Sequence, residues 1–198
     1  DMERKQLEAA AASNHYLRGL LAVPFGLVLI SAGLGNMEWG PFRHLWVVPV
    51  AMLLAGGAYL VGVRYYNDNF GRVRLRTAQP RSILGNVGAV VLMIGGPVLT
   101  QTLDLPVNGF GIAWAVVALA YYAFTVGLRP HHVVIWGMVL VASLVPLWGD
   151  PRTSDSANYG LLLLGVAAIA TGIFDHLLLV RTFGPARNLE LEDSNAAT

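Results

Sequence analysis

The chain contains no cysteine, which removes disulfides, thiolate metal sites and thiol nucleophiles from its chemistry. Charge is also scarce. Only 13% of its 198 residues are Asp, Glu, Lys or Arg, against 55% hydrophobic, and the mean hydropathy is +0.56. So few charges cannot coat a soluble domain of this size, and the composition is that of an integral membrane protein. Chemical motifs are missing as well. The sequence holds no Gly-rich phosphate loop with its Lys and Ser/Thr, no His-Glu-x-x-His and no Gly-x-Ser-x-Gly, so nothing points to nucleotide hydrolysis, zinc-peptidase or serine-hydrolase chemistry.

What the chain does contain is six apolar runs, at residues 19–35, 45–63, 83–99, 109–128, 133–149 and 159–180. Each approaches the ~20 residues that cross about 30 Å of hydrocarbon at ~1.5 Å per residue. The expectation is an all-α, polytopic membrane bundle of six transmembrane helices paired as three hairpins. This domain, residues 19–184, follows an N-terminal helical segment (1–18) lying along the interface or leading into the first span, and precedes a flexible tail (185–198). The chain opens on Asp1, so residues are expected upstream; the first span, preceded by a long polar segment without a cleavage site, does not resemble a cleaved signal.

Charge distribution supplies an orientation. Eleven of the thirteen Lys and Arg residues fall in one alternate set of connections: the N-terminus, the stretch from Arg64 to Ser82, the turn at Arg129 and the C-terminus. Only Arg43 and Arg152 fall in the other. Positive residues accumulate on the cytoplasmic side, which predicts a cytoplasmic-membrane protein with both termini inside. Trp39, Trp46 and Trp148 then mark the outer rim, and Tyr16, Tyr65, Tyr66, Tyr121 and Tyr122 the inner one.

Small residues four apart, such as Ala22 and Gly26 or Ala168 and Gly172, allow close helix approach and predict packing inside the bundle. Pro24, Pro49, Pro97 and Pro146 fall within runs and predict kinks, with Gly95-Gly96-Pro97 the sharpest break.

The least expected residues are Asp175 and His176, inside the last apolar run and shortly before Arg181. An ionisable group at membrane depth is expensive and marks a functional candidate. Adjacent helical positions diverge by about 100°, so the two side chains cannot point along one line, and one is expected to face the bundle while the other reaches toward headgroups. His131 and His132 follow Arg129-Pro130 in the turn before the fifth run, and His15 precedes the first on the same side. With Asp175, these imidazoles could bind a metal or a proton, against the plainer expectation of solvated turn residues. The long connection carries Arg64 and then Arg72, Arg74 and Arg76 in alternation with Val73 and Leu75, a pattern suited to anionic lipid headgroups or a cytoplasmic protein partner.

Three functions fit these features. The first is a small transport-associated subunit, a permease or exporter component acting as a homo-oligomer or with a cytoplasmic partner. The second is a regulatory, sensory or scaffold subunit that does not transport, and the third an intramembrane enzyme acting on a lipid through Asp175, the inner histidines and a metal. Polar residues inside the runs are few, mainly Ser31, Asn86, Thr125, Ser143 and Thr171, which favours the first two. No cofactor is assigned, and no nucleic-acid partner is expected.

Overall fold

The computed structural model describes residues 18–70, 80–125, 127–145 and 154–183. Among them every regular element is helical: α1 (Ala22–Asn36), α2 (Val47–Phe70), α3 (Pro80–Thr102), α4 (Gly109–Thr125), α5 (Pro130–Leu144) and α6 (Ser154–Phe183), with 3-10 turns at Gly19–Leu21 and Gly40–Arg43. Each helix occupies one of the six apolar runs. Three stretches, Gly19–Asn36, Val47–Phe70 and Asp155–Thr182, are long and apolar enough to cross a membrane, and Val87–Thr102, Gly109–Phe124 and Pro130–Leu144 are shorter apolar stretches.

Proline positions explain several boundaries. Pro24 and Pro49 lie in the first turns of α1 and α2, and Pro80 and Pro130 open α3 and α5. A missing N–H costs nothing there, because first-turn amides have no intrahelical acceptor. The expected kinks at Pro24 and Pro49 are therefore helix starts. Pro97 alone is interior to a described helix, and α3 runs through it without a break. One turn on, the Thr100 hydroxyl bonds back to the carbonyls of Gly96 (3.1 Å) and Pro97 (3.0 Å), so the helix stays continuous here and builds no broken-helix site.

α6 is the central post. It packs along α1 on one side and against α5 and α4 on another, while α2 leans on α1 and α3 on α4. The α1–α6 pair is antiparallel and closes on glycines seven residues apart: Gly19 meets Gly172, Gly26 meets Gly165, and Gly33 meets Asn158 and Leu162. A Cβ added at Gly26 would lie 2.6 Å from the Gly165 carbonyl oxygen, so the backbones approach as closely as glycine permits. Small residues do pack within the bundle as their spacing predicts.

On a different face of α6, Leu164 and Ala167 meet Ala115 of α4 and Trp136 and Val139 of α5 to form the main core. A second cluster joins Tyr66 of α2 to Leu179 of α6, flanked by Leu20, Phe70 and Leu178. Because Tyr66 and Phe70 keep this i, i+4 contact, α2 continues as helix through the polar stretch Arg64–Asn69. The expected connection, Arg64 to Ser82, thus begins seven residues too early, and its far end is taken up by α3. Residues 1–17 of the N-terminal segment, the C-terminal tail, Pro146, Arg72, Arg74 and Arg76 all lie outside the described residues.

Candidate functional site

Two turns of sequence bring the site together. α4 ends before Gly127, which takes a left-handed backbone (φ +85°) and returns its N–H to the Tyr122 carbonyl at 2.9 Å, a reversal that favours glycine. Arg129 is extended (φ −105°, ψ 156°), as expected before a proline. Pro130 then starts α5, which places His131 and His132 in its first turn directly beside Tyr122. The two histidines are helical, not solvated turn residues: His132 is fully buried and the His131 side chain is 20% exposed.

Both imidazoles converge on one atom of α6. His132 Nε2 lies 2.8 Å and His131 Nε2 2.9 Å from Oδ1 of Asp175, a residue only 1% exposed. The Arg129 N–H donates to His132 Nδ1 at 3.4 Å, so the His132 proton sits on Nε2 and is donated to the carboxylate. The Tyr122 ring stacks on His132 with centroids 3.7 Å apart, and its hydroxyl also interacts with Asp175. A buried carboxylate is tolerable when donors surround it, and here they come from α4 and α5. The centre therefore ties three helices together through one charge.

His176 points elsewhere. Its Nδ1 accepts the Tyr66 hydroxyl at 3.0 Å, while the Tyr66 oxygen accepts the Leu20 N–H at 3.0 Å. The Arg18 guanidinium lies 5.8 Å over the Tyr66 ring and donates to Asn67 Oδ1 at 3.2 Å. This second polar cluster joins the start of α1 to α2 and α6. Replacing Tyr66 with Phe removes one hydroxyl and strands both the Leu20 amide and His176 Nδ1. The expected loss is about 1–3 kcal/mol, read as a lower thermal midpoint with faster amide exchange across residues 19–21; an unchanged midpoint would mean water replaces the hydroxyl without cost.

Inward from Asp175 the polar groups thin out. One helical turn away, Thr171 Oγ1 on α6 and Trp136 Nε1 on α5 are buried with no hydrogen-bond partner among the described residues. Beyond them lies the apolar layer of Ala115, Val139 and Leu164. At the far end of this bundle Ser143 bonds the Val139 carbonyl at 2.7 Å, and Asn108 Oδ1 accepts the Gly111 N–H at 3.0 Å.

Of the residues singled out in the sequence, Asp175, His131 and His132 form one centre and His176 a neighbouring one. Arg64 is an exposed position on α2. His44 stacks on Trp46 with centroids 6.1 Å apart, away from the centre, and His15 lies outside the described residues. Tyr66 and Tyr122, read from sequence only as interfacial aromatics, are site residues. Each belongs to a Tyr-Tyr doublet whose side chains diverge by about 100°: Tyr65 and Tyr121 are 38% and 48% exposed while their neighbours turn inward. No protein-family model, curated protein or solved structure matches this chain.

Proposed function

We propose that this chain is a six-span protein of the cytoplasmic membrane, with both termini inside, that serves as a non-conducting accessory or regulatory subunit of a transport assembly. Burial of Asp175 carries the non-conducting half of this reading. Its carboxylate is closed off by His131, His132 and Tyr122, and the next layers of the bundle are apolar. A solute path through the chain would need polar lining where Ala115, Val139 and Leu164 pack.

Membership in an assembly is supported by the edge helices. α2 and α3 each pack mainly on a single neighbour, and side chains such as Leu53, Leu60, Val90 and Ile94 are more than half exposed. Such faces suit lipid or a partner's helices, and the sequence between α2 and α3 contains Arg72, Arg74 and Arg76, basic residues suited to anionic headgroups or a cytoplasmic partner.

The reading is tested in proteoliposomes and in native membranes. The purified chain is expected to give no ion or solute flux above empty vesicles, and gentle detergent extraction is expected to yield a stoichiometric complex with a transport protein. Since the chain lacks cysteine, single cysteines at Asn108 and Ser154 should react with impermeant reagents from outside, and those at Thr77 and Thr182 only after permeabilisation. Flux through the chain alone would overturn the non-conducting reading, a partner-free particle the assembly, and the reverse labelling pattern the orientation.

A further inference from the structure

We propose that His131, His132 and Asp175 bind one divalent transition-metal ion of the borderline class typified by Zn2+ and Co2+, through the two Nε2 atoms and a carboxylate oxygen. The inference goes beyond the reading above, which uses this centre only as the closed, non-conducting part of the bundle.

The three ligand atoms lie within 4.8 Å of one another, on side chains that are buried or nearly so. Ligands held ~2.1 Å from a metal at tetrahedral to octahedral angles are about 3.0–3.4 Å apart. The present nitrogen–oxygen separations of 2.8 and 2.9 Å are a few tenths of an ångström shorter, the spacing of a shared proton. Exchanging protons for an ion opens the two nitrogen–oxygen separations by a few tenths of an ångström and sets the two Nε2 atoms, now within 4.8 Å of each other, at metal-ligand spacing.

The donor set selects the ion. Two imidazoles and one carboxylate, with no thiolate, suit Zn2+, Co2+, Ni2+ or Fe2+. Mg2+ and Ca2+ favour all-oxygen sites and are poorly served by two nitrogens. Three protein ligands leave at least one coordination position for water, on the side where His131 is partly exposed.

Ligation carries a local consequence. To offer its Nε2 lone pair, neutral His132 must carry its proton on Nδ1, where the Arg129 N–H now points from 3.4 Å. Two donors cannot face each other, so metal binding breaks this contact at the head of α5 and displaces the turn at residues 127–129. Occupancy of the centre is thereby coupled to the short connection between α4 and α5.

The test uses the full chain in detergent without a polyhistidine tag, titrated with Co2+ and followed by visible d–d absorption. One equivalent should saturate the band, Zn2+ should abolish it and Mg2+ should leave it. His131→Ala and Asp175→Asn, checked for native helicity, should lose the saturable band. Histidine 15N spectra should move His132 from the Nε2–H to the Nδ1–H form when Zn2+ is added. No saturable band in the folded protein, or a band kept by both variants, overturns the metal site. Either result leaves the non-conducting reading to the vesicle flux and complex-isolation experiments, whose failure would in turn leave the Co2+ result standing.

Discussion

Asp175→Leu is expected to cost about 2–6 kcal/mol of stability, at about 1–3 kcal/mol for each buried imidazole N–H left without its acceptor. The cost comes from what is left behind. The His132 N–H, on a fully buried side chain, loses its acceptor, and His131 loses the same oxygen. Asp175→Asn keeps an acceptor oxygen and removes the charge, so its bonds to the imidazoles become neutral ones, roughly half as strong. A loss of about 1–2 kcal/mol is expected there. Combining Asp175→Leu with His131→Leu and His132→Leu should recover much of the deficit, because removing both sides of a buried polar contact approaches neutrality. Thermal unfolding in a single detergent, followed by tryptophan fluorescence, orders these variants. Stability in Asp175→Leu equal to that of the parent would mean that the carboxylate and imidazoles do not hold α4, α5 and α6 together.

The second large effect is expected at the α1–α6 contact. Gly165→Ala places a Cβ 2.6 Å from the Gly26 carbonyl oxygen and equally close to Ile30 Cγ1. Backbone cannot yield as a side chain can, so the helices must separate, at a cost of about 1–3 kcal/mol for one methyl group. Gly165→Leu should exceed this and prevent stable folding. Gly33→Ala meets the Asn158 carbonyl at 3.1 Å and should be milder. Gly56 and Gly57 of α2 have open space around an added Cβ, so alanine there should be neutral or slightly stabilising through helix propensity. Measuring the four alanine variants side by side separates helix contact from propensity. Equal effects at Gly165 and Gly57 would show that the α1–α6 seam is loose in the membrane. Since α6 carries both polar centres, Gly165→Ala should also alter the environments of His131 and Tyr66, visible as changed histidine and tyrosine resonances.

The amino-acid sequence by itself determined where the helices lie, because a run of about 20 apolar residues has one economical conformation in hydrocarbon, where each backbone polar group must be paired within its own segment. The side chains of Asp175 and His176 diverge by about 100° on their helix, but that offset does not by itself separate partners: His131 and His132, equally offset, share Asp175 Oδ1. Helix ends were less legible. Polar residues from Arg64 to Asn69 read as a connection, yet Tyr66 and Phe70 hold them in α2 through contacts with Leu20, Leu178 and Leu179. Pro130 signals a helix start, but only the fold shows that His131 and His132 continue from it into the bundle.

Tertiary structure alone decided the pairing. His131 and His132 reach a carboxylate 44 and 43 residues away, and nothing in their own segment names that partner. The seven-residue glycine series of α1 and α6 is visible in the sequence once known, but apolar helices lack a directional code for choosing neighbours. Close packing and a few hydrogen bonds select among arrangements that hydrophobicity leaves equivalent in lipid. Which ring of each Tyr-Tyr doublet turns inward, and which charge is enclosed, follow from that choice.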